Sequence, residues 1–244
     1  MRPTCKLCDQ QKDLCDAHII PDWAFNEIKE GHIVKIHGRN GKAQKIQTGI
    51  FDKSILCADC DGNKIGKYDT YAADFFRGDF SNLILSGVAS SGRYVEYLDL
   101  VSYDFAQLKL FFISVLWRAS ITSRQEFKSV SLEPELENVA KQAVFNNDAA
   151  LAKDFYISMS FYKPSQLAKD VEKNVFIFVP KRSADKVIGY SFALSGFEIL
   201  ISFEDPLPDR LTMSGRGVLI PLLDFDKSKR GKYLKEMFAN QLII

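Results

Sequence analysis

Two Cys-x-x-Cys pairs constrain this chain more than any other feature. Cys5-Lys6-Leu7-Cys8 and Cys57-Ala58-Asp59-Cys60 stand 48 residues apart. Two residues between a pair of sulfurs let both thiolates leave one tight turn toward a single ion at about 2.3 Å. Two such turns complete a tetrahedral all-sulfur site, and Zn²⁺ is the ion that geometry suits. A closed four-sulfur site leaves no coordination position for substrate, so Cys5, Cys8, Cys57 and Cys60 are expected to brace a fold. The spacer exceeds the usual zinc-ribbon spacing, but it is long enough to carry elements of its own. Ordinary buried cysteines are the bland alternative. A redox Cys-x-x-Cys is another, but no thioredoxin-like βαβ pattern flanks either pair. Cys15 has no place in a tetrahedral site and is expected as a small buried residue.

The metal reading depends on compartment. Met1-Arg2-Pro3-Thr4-Cys5 lacks the apolar run of a signal peptide, and no stretch reaches about 18 uninterrupted apolar residues. A cytoplasmic protein with no membrane span is therefore expected. Disulfides are rare in that setting, and paired cysteines there read as metal ligands.

All five cysteines and all three histidines fall within residues 1–77. A segment this short cannot bury a large core, and a bound metal makes up the shortfall. Pro21 opens a short helix over Asp22 to Lys29, ended by Gly31. Alternating runs at His32–His37 and Lys42–Thr48 flank the turn signal Gly38-Arg39-Asn40-Gly41, which predicts a hairpin. Ile55-Leu56 leads into the second cysteine pair, where a helix is expected to start and to run to about Phe76.

Residues 79–244 read differently. Phe105, Leu108, Phe112, Val115 and Leu116 recur at helical spacing, which predicts a buried helix over Phe105–Ser120. Pro134 starts another, to about Phe145. Strand-like runs follow at Phe155–Tyr162, Asn174–Val179, Val187–Leu194, Glu198–Phe203 and Val218–Leu223, with a closing helix over Lys229–Gln241. The expected fold class is α+β. A small zinc-stabilised module (1–78) precedes a larger α+β domain (79–244) with a mostly antiparallel sheet.

Between the cysteine pairs lies Ala17-His18-Ile19-Ile20-Pro21, and after the second comes Asp61-Gly62-Asn63-Lys64-Ile65-Gly66-Lys67. These two stretches resemble the HNH nuclease family, over about residues 5–70. The resemblance implies a ββα-metal, treble-clef module braced by the zinc site, and a metal-dependent endonuclease acting on nucleic acid. It makes His18 the general base and Asn63 a ligand of a catalytic Mg²⁺ or Mn²⁺. In the family an acid or histidine usually precedes the base; here that position is Ala17. Asp61 can compensate at the helix start, with Asp22 the weaker candidate. The family's middle Asn, which ties the loop down, is also missing; Asp52 and Ser54 are the nearest residues able to bond backbone.

Net charge is +1, which argues mildly against a dedicated nucleic-acid binder. Residues 31–54 nevertheless carry a local excess of four positive charges. Lys35, Arg39, Lys42 and Lys45 on a hairpin, with Lys64 and Lys67 on the helix, could grip phosphates, DNA being the first expectation. A solvated hairpin carrying lysines to protect its edges is the equal alternative. The run Lys227, Lys229, Arg230, Lys232 and Lys235 reads as a solvated helix face. Arg118, inside the apolar helix, needs a partner if buried, and Glu96 or Asp104 could serve. Three functions follow: an HNH-like nuclease, with defence or mobile-element biology as its expected setting; a degenerate zinc module that binds nucleic acid or protein; or an adaptor in which residues 79–244 do the work, through a homo-oligomer or another protein.

Overall fold

The computed structural model of the chain describes residues 2–24, 33–37, 42–46, 50–78, 80, 83–88, 94–100, 103–163, 179–184, 186–204, 218–224, 227 and 232. Strand β1 (Ala17–His18) pairs antiparallel with β4 (Phe51–Asp52), with Ala17 opposite Asp52 and His18 opposite Phe51. Between them lies the predicted hairpin, β2 (Ile33–His37) and β3 (Lys42–Ile46), paired from Ile33–Ile46 to His37–Lys42. A helical turn covers 22–24; the rest of the helix expected to Lys29 lies outside the described residues.

Helix begins directly after Cys57. Its lead-in, Cys60–Ile65, is wound as a π-turn, and α1 (Gly66–Phe76) continues it. Ile65, Tyr68, Ala72 and Phe76 face inward, the spacing of an amphipathic helix.

The strongest apolar periodicity becomes α2 (Phe105–Ile121), buried at every position from Leu108 to Ala119. Asp104 caps it by accepting the Gln107 N–H at 3.0 Å, which satisfies one orphan donor of the first turn. In α3 (Pro134–Asn146), Pro134 occupies the first turn, and Asn147 ends the helix in the left-handed region at φ 57°. Both residue types suit those positions.

The remaining elements form one seven-stranded sheet. Its strands are β5 (Ile84–Val88), β6 (Tyr94–Leu100), β7 (Tyr156–Lys163), β8 (Val179–Ser183), β9 (Lys186–Leu194), β10 (Phe197–Ser202) and β11 (Val218–Asp224), in the order β5-β6-β11-β7-β10-β9-β8. Every pairing is antiparallel except β11 with β7. The fold is thus α+β, as composition and pattern predict. One expectation needs correcting: helices do not all precede strands. β5 and β6 come before α2 and join the same sheet. Of the strand expected over Asn174–Val179, Val179 lies in β8 and the rest falls outside the described residues. The helix expected over Lys229–Gln241 also lies outside them.

A continuous cluster of buried residues runs from Cys5 through α1, α2 and α3 to Ile220 on β11. Phe76 of α1 meets Phe112 of α2 (ring centroids 6.2 Å) and Phe197 of β10 (5.6 Å), both edge to face. Such aromatic pairs contribute about 0.5–1.5 kcal/mol beyond their burial. α1 therefore packs against both α2 and the sheet, and Phe112 of α2 also meets Phe192 of β9. Among the described residues no helix is long and apolar enough to cross a membrane.

Candidate metal centre and the histidine beside it

The sulfurs of Cys5, Cys8, Cys57 and Cys60 all lie within 4.8 Å of one another. A tetrahedron with metal–sulfur bonds of about 2.3 Å requires sulfurs roughly 3.8 Å apart, so the four fit one ion. The first pair sits on a turn in which the Asp9 N–H bonds the Cys5 carbonyl at 2.9 Å, and Asp9 itself takes φ 55°. Asp is among the few non-glycine residues that adopt this conformation readily. Backbone bonds hold the two pairs together: Lys6 N–H to Ile55 O at 2.8 Å, Cys15 N–H to Leu56 O at 2.9 Å, and Cys57 N–H to Cys5 Sγ at 3.4 Å.

The thiol electrostatics point the same way. Burial pushes the Cys5 thiol up, but the surrounding backbone N–H groups of Cys8, Cys57 and Leu7 outweigh it and bring the group down to about 7. Burial, then the neighbouring Cys5 charge and sulfurs, drives Cys60 far upward, and burial also raises Cys8. Protein groups alone thus hold Cys5 low while raising Cys8 and Cys60. A bound divalent ion would offset the repulsion and favour the thiolate form of all four. The donor set, its closure and its spacing fit a structural Zn²⁺. Cys15 stands apart, half-buried, its thiol bonded to Leu56 O at 3.5 Å and raised to about 11 by burial. It is an inert residue, though less buried than expected.

His18 ends β1, partly exposed. Its ring meets Phe51 edge-on, with centroids 6.2 Å apart. The strand pair beneath it is tied down by Asp52. Its Oδ1 accepts the Ser54 N–H at 2.8 Å and the Ser54 hydroxyl at 2.5 Å, and its Oδ2 accepts the Thr122 hydroxyl at 2.5 Å. Burial raises the Asp52 carboxyl, but these donors more than reverse it and leave it below the ordinary value. Asp52 thus joins the backbone two residues on to the residue that follows α2.

Asp61 opens the helix within electrostatic reach of His18, Arg118 and Asp69. Burial raises its carboxyl; Arg118 opposes this, Asp69 adds to it, His18 opposes it, and the net direction is upward. Asn63 behaves differently. It is exposed, and its amide donates to Asp59 Oδ1 at 2.8 Å, one turn back along the helix. Among the described residues, the four cysteines are the only set of three or more His, Cys, Asp or Glu atoms so closely convergent; His18, Asp61 and Asp69 do not meet that closely. Asp69 was not among the sequence candidates. A spacing of eight from Asp61 on a continuous helix was the available signal, since such residues share a broad face.

The partner of Arg118 is also corrected. Asp104 is occupied as the cap at the far end of α2, roughly 20 Å away at 1.5 Å per residue, and Glu96 stands on β6 opposite Ser86. Arg118 instead pairs with Asp69 of α1, Nη2 to Oδ1 at 3.1 Å. Of the proposed phosphate contacts, Lys64 is engaged by its own fold: its Nζ donates to Phe145 O at 3.4 Å and lies 4.7 Å from the Phe145 ring centroid. Lys67 is exposed, with its Nζ 5.1 Å from the Tyr68 ring centroid. Lys35, Lys42 and Lys45 are on the hairpin strands, with side chains outside the described residues, and Arg39 lies outside them altogether.

Comparison with protein-family models, with curated proteins and with solved structures found no match for this chain.

Proposed function

We propose that the chain is an HNH-like, metal-dependent endonuclease that hydrolyses phosphodiester bonds in nucleic acid. What supports this reading most is the setting of His18. It is a partly exposed imidazole on a short strand pair, with Asp61 in electrostatic reach, beside a four-sulfur cluster that fixes both ends of the segment. In this reading the cysteine turn, the strand pair and the helix starting at the second cysteine pair make up a treble clef. In this reading neutral His18 takes a proton from water, and the resulting hydroxide attacks phosphorus. A bound Mg²⁺ or Mn²⁺ supplies charge neutralisation at the phosphate and the leaving oxygen. Asp61 offers a hard oxygen ligand for such an ion; Asn63 joins it only on leaving Asp59.

A second reading is favoured by that Asn63–Asp59 bond and by the acids around His18 not converging as the cysteines do. It is a zinc module that grips nucleic acid or protein without cutting. Incubation with plasmid DNA and with RNA, in Mg²⁺ and in Mn²⁺, decides between them. The nuclease reading expects cleavage, and a loss of about 10²- to 10⁴-fold in His18→Ala. No cleavage of any nucleic acid in either metal sinks it. Binding that weakens steeply with salt, without cutting, supports the second.

A further inference from the structure

Arg118 is a charged side chain with no solvent exposure, in the last turn of an apolar helix. A guanidinium carries five N–H donors, and all five of Arg118's are used. Nε donates to Ser114 O at 3.2 Å. Nη1 donates to His18 O at 2.6 Å and to Asp69 Oδ2 at 3.3 Å. Nη2 donates to Asp69 Oδ1 at 3.1 Å and to Ser114 Oγ at 3.4 Å. With no donor spare and no exposed surface, Arg118 has nothing to offer a phosphate or a base.

Stability alone does not explain it either. A buried ion pair contributes little net stability compared with apolar side chains of similar volume. What distinguishes Arg118 is where its fork reaches: to the backbone of β1 at the candidate base, and to an acid on α1 beside Asp61. The same end of α2 grips the rest of the cysteine-bearing unit. Lys6 Nζ donates to Ile121 O at 2.6 Å, Thr122 bonds Asp52, and Arg124 Nη1 donates to Phe51 O at 3.1 Å. Phe51 is the residue paired opposite His18. The carbonyls of both facing residues are therefore held by arginines from this one region.

We infer that Arg118 is a positioning residue for His18, and that the candidate centre is built jointly by the zinc unit and α2. This rests on the role proposed for His18, but its test does not depend on cleavage. A lysine cannot reproduce the bidentate fork, so the informative variant is Arg118→Lys in the full-length, zinc-loaded chain. The chain has three histidines, so the His18 imidazole resonance is assigned by its disappearance in His18→Ala. In Arg118→Lys that resonance shifts or broadens, the His32 and His37 resonances stay in place, and zinc remains at one per chain. If the wild type cleaves nucleic acid, kcat falls about tenfold to a hundredfold while KM holds, as expected when a catalytic group is slightly misplaced. A folded, zinc-loaded Arg118→Lys with an unmoved His18 resonance overturns the inference. Should that variant fail to fold, Asp69→Asn tests the same fork from the other side, with the same resonance as readout and the same contradiction. A wild type that cuts nothing refutes the nuclease reading alone, because the resonance still decides the role of Arg118.

Discussion

The two ends of this molecule hold themselves together by different physics. The sheet end is a packed aromatic interior, with Phe192, Phe197 and Ile199 almost fully buried. The cysteine-bearing end has short strands and tight turns, and its buried apolar residues, Leu7, Ile19, Ile20, Ile55 and Leu56, are the edge of a cluster that continues into α1 and α2. It relies on four convergent sulfurs and on polar ties to α2. A packed core spreads its stabilisation over many contacts, so single losses are partial. A metal clip concentrates it in one site, so a single loss is nearly complete. The comparison predicts that the two ends fail separately and for different reasons.

Metal removal should show the largest effect. Chelation, or Cys60→Ser, removes a contribution on the order of 10 kcal/mol. Hydrogen exchange should then rise sharply over residues 2–20 and 50–65, and far less over β7, β9 and β10. Equal loss of protection at both ends would mean that the clip organises the whole chain.

Next come two substitutions, one at each end of α2's reach. Phe112→Ala should cost about 3–5 kcal/mol through the cavity it leaves while zinc content is unchanged. Asp69→Ala should cost about as much for another reason, since it leaves Arg118 charged and buried without its acid. Arg118→Met should cost less than Asp69→Ala, because the Asp69 side chain is 19% exposed and can be hydrated. Denaturant unfolding of the three variants checks that order, and the reverse order for the last two would contradict the assignment.

The smallest effect is a pH dependence. Tyr68 is fully buried, donates its hydroxyl to Val144 O at 2.9 Å, and is raised to about 12 by burial. A folded-state value above the unfolded one, 10.0, means that the folded state holds the proton more tightly. Its contribution is complete below pH 10 and is lost as pH rises toward 12, by roughly 2–3 kcal/mol. Tyr68→Phe should flatten the stability curve over that interval. An unchanged slope would show that other groups carry the alkaline loss.

The same contrast governs what could be read from sequence. The cysteine turns were legible because their information is local: two residues between sulfurs fix the chemistry. α2 and α3 were legible because buried periodicity and a first-turn proline are also local signals. β5 and β6 were missed. Ile84–Val88 is a short edge strand interrupted by Ser86-Gly87, and Leu85 is 44% exposed, so no alternating pattern develops. The Arg118–Asp69 pair was out of reach because the two residues lie 49 apart on different helices. Nearest-acid reasoning offered Glu96 and Asp104 instead. A helix start at the second cysteine pair was readable, but the bond from Asn63 to Asp59 depends on how the π-turn before α1 winds.

The four convergent sulfurs of the cysteine-bearing end are placed to hold one ion. X-ray absorption at the zinc edge, on full-length protein purified without added chelator, tests that most directly. One zinc per chain, with four sulfur neighbours at about 2.3 Å, is the predicted result. A protein that is folded without metal, or a zinc shell containing nitrogen or oxygen, would contradict it.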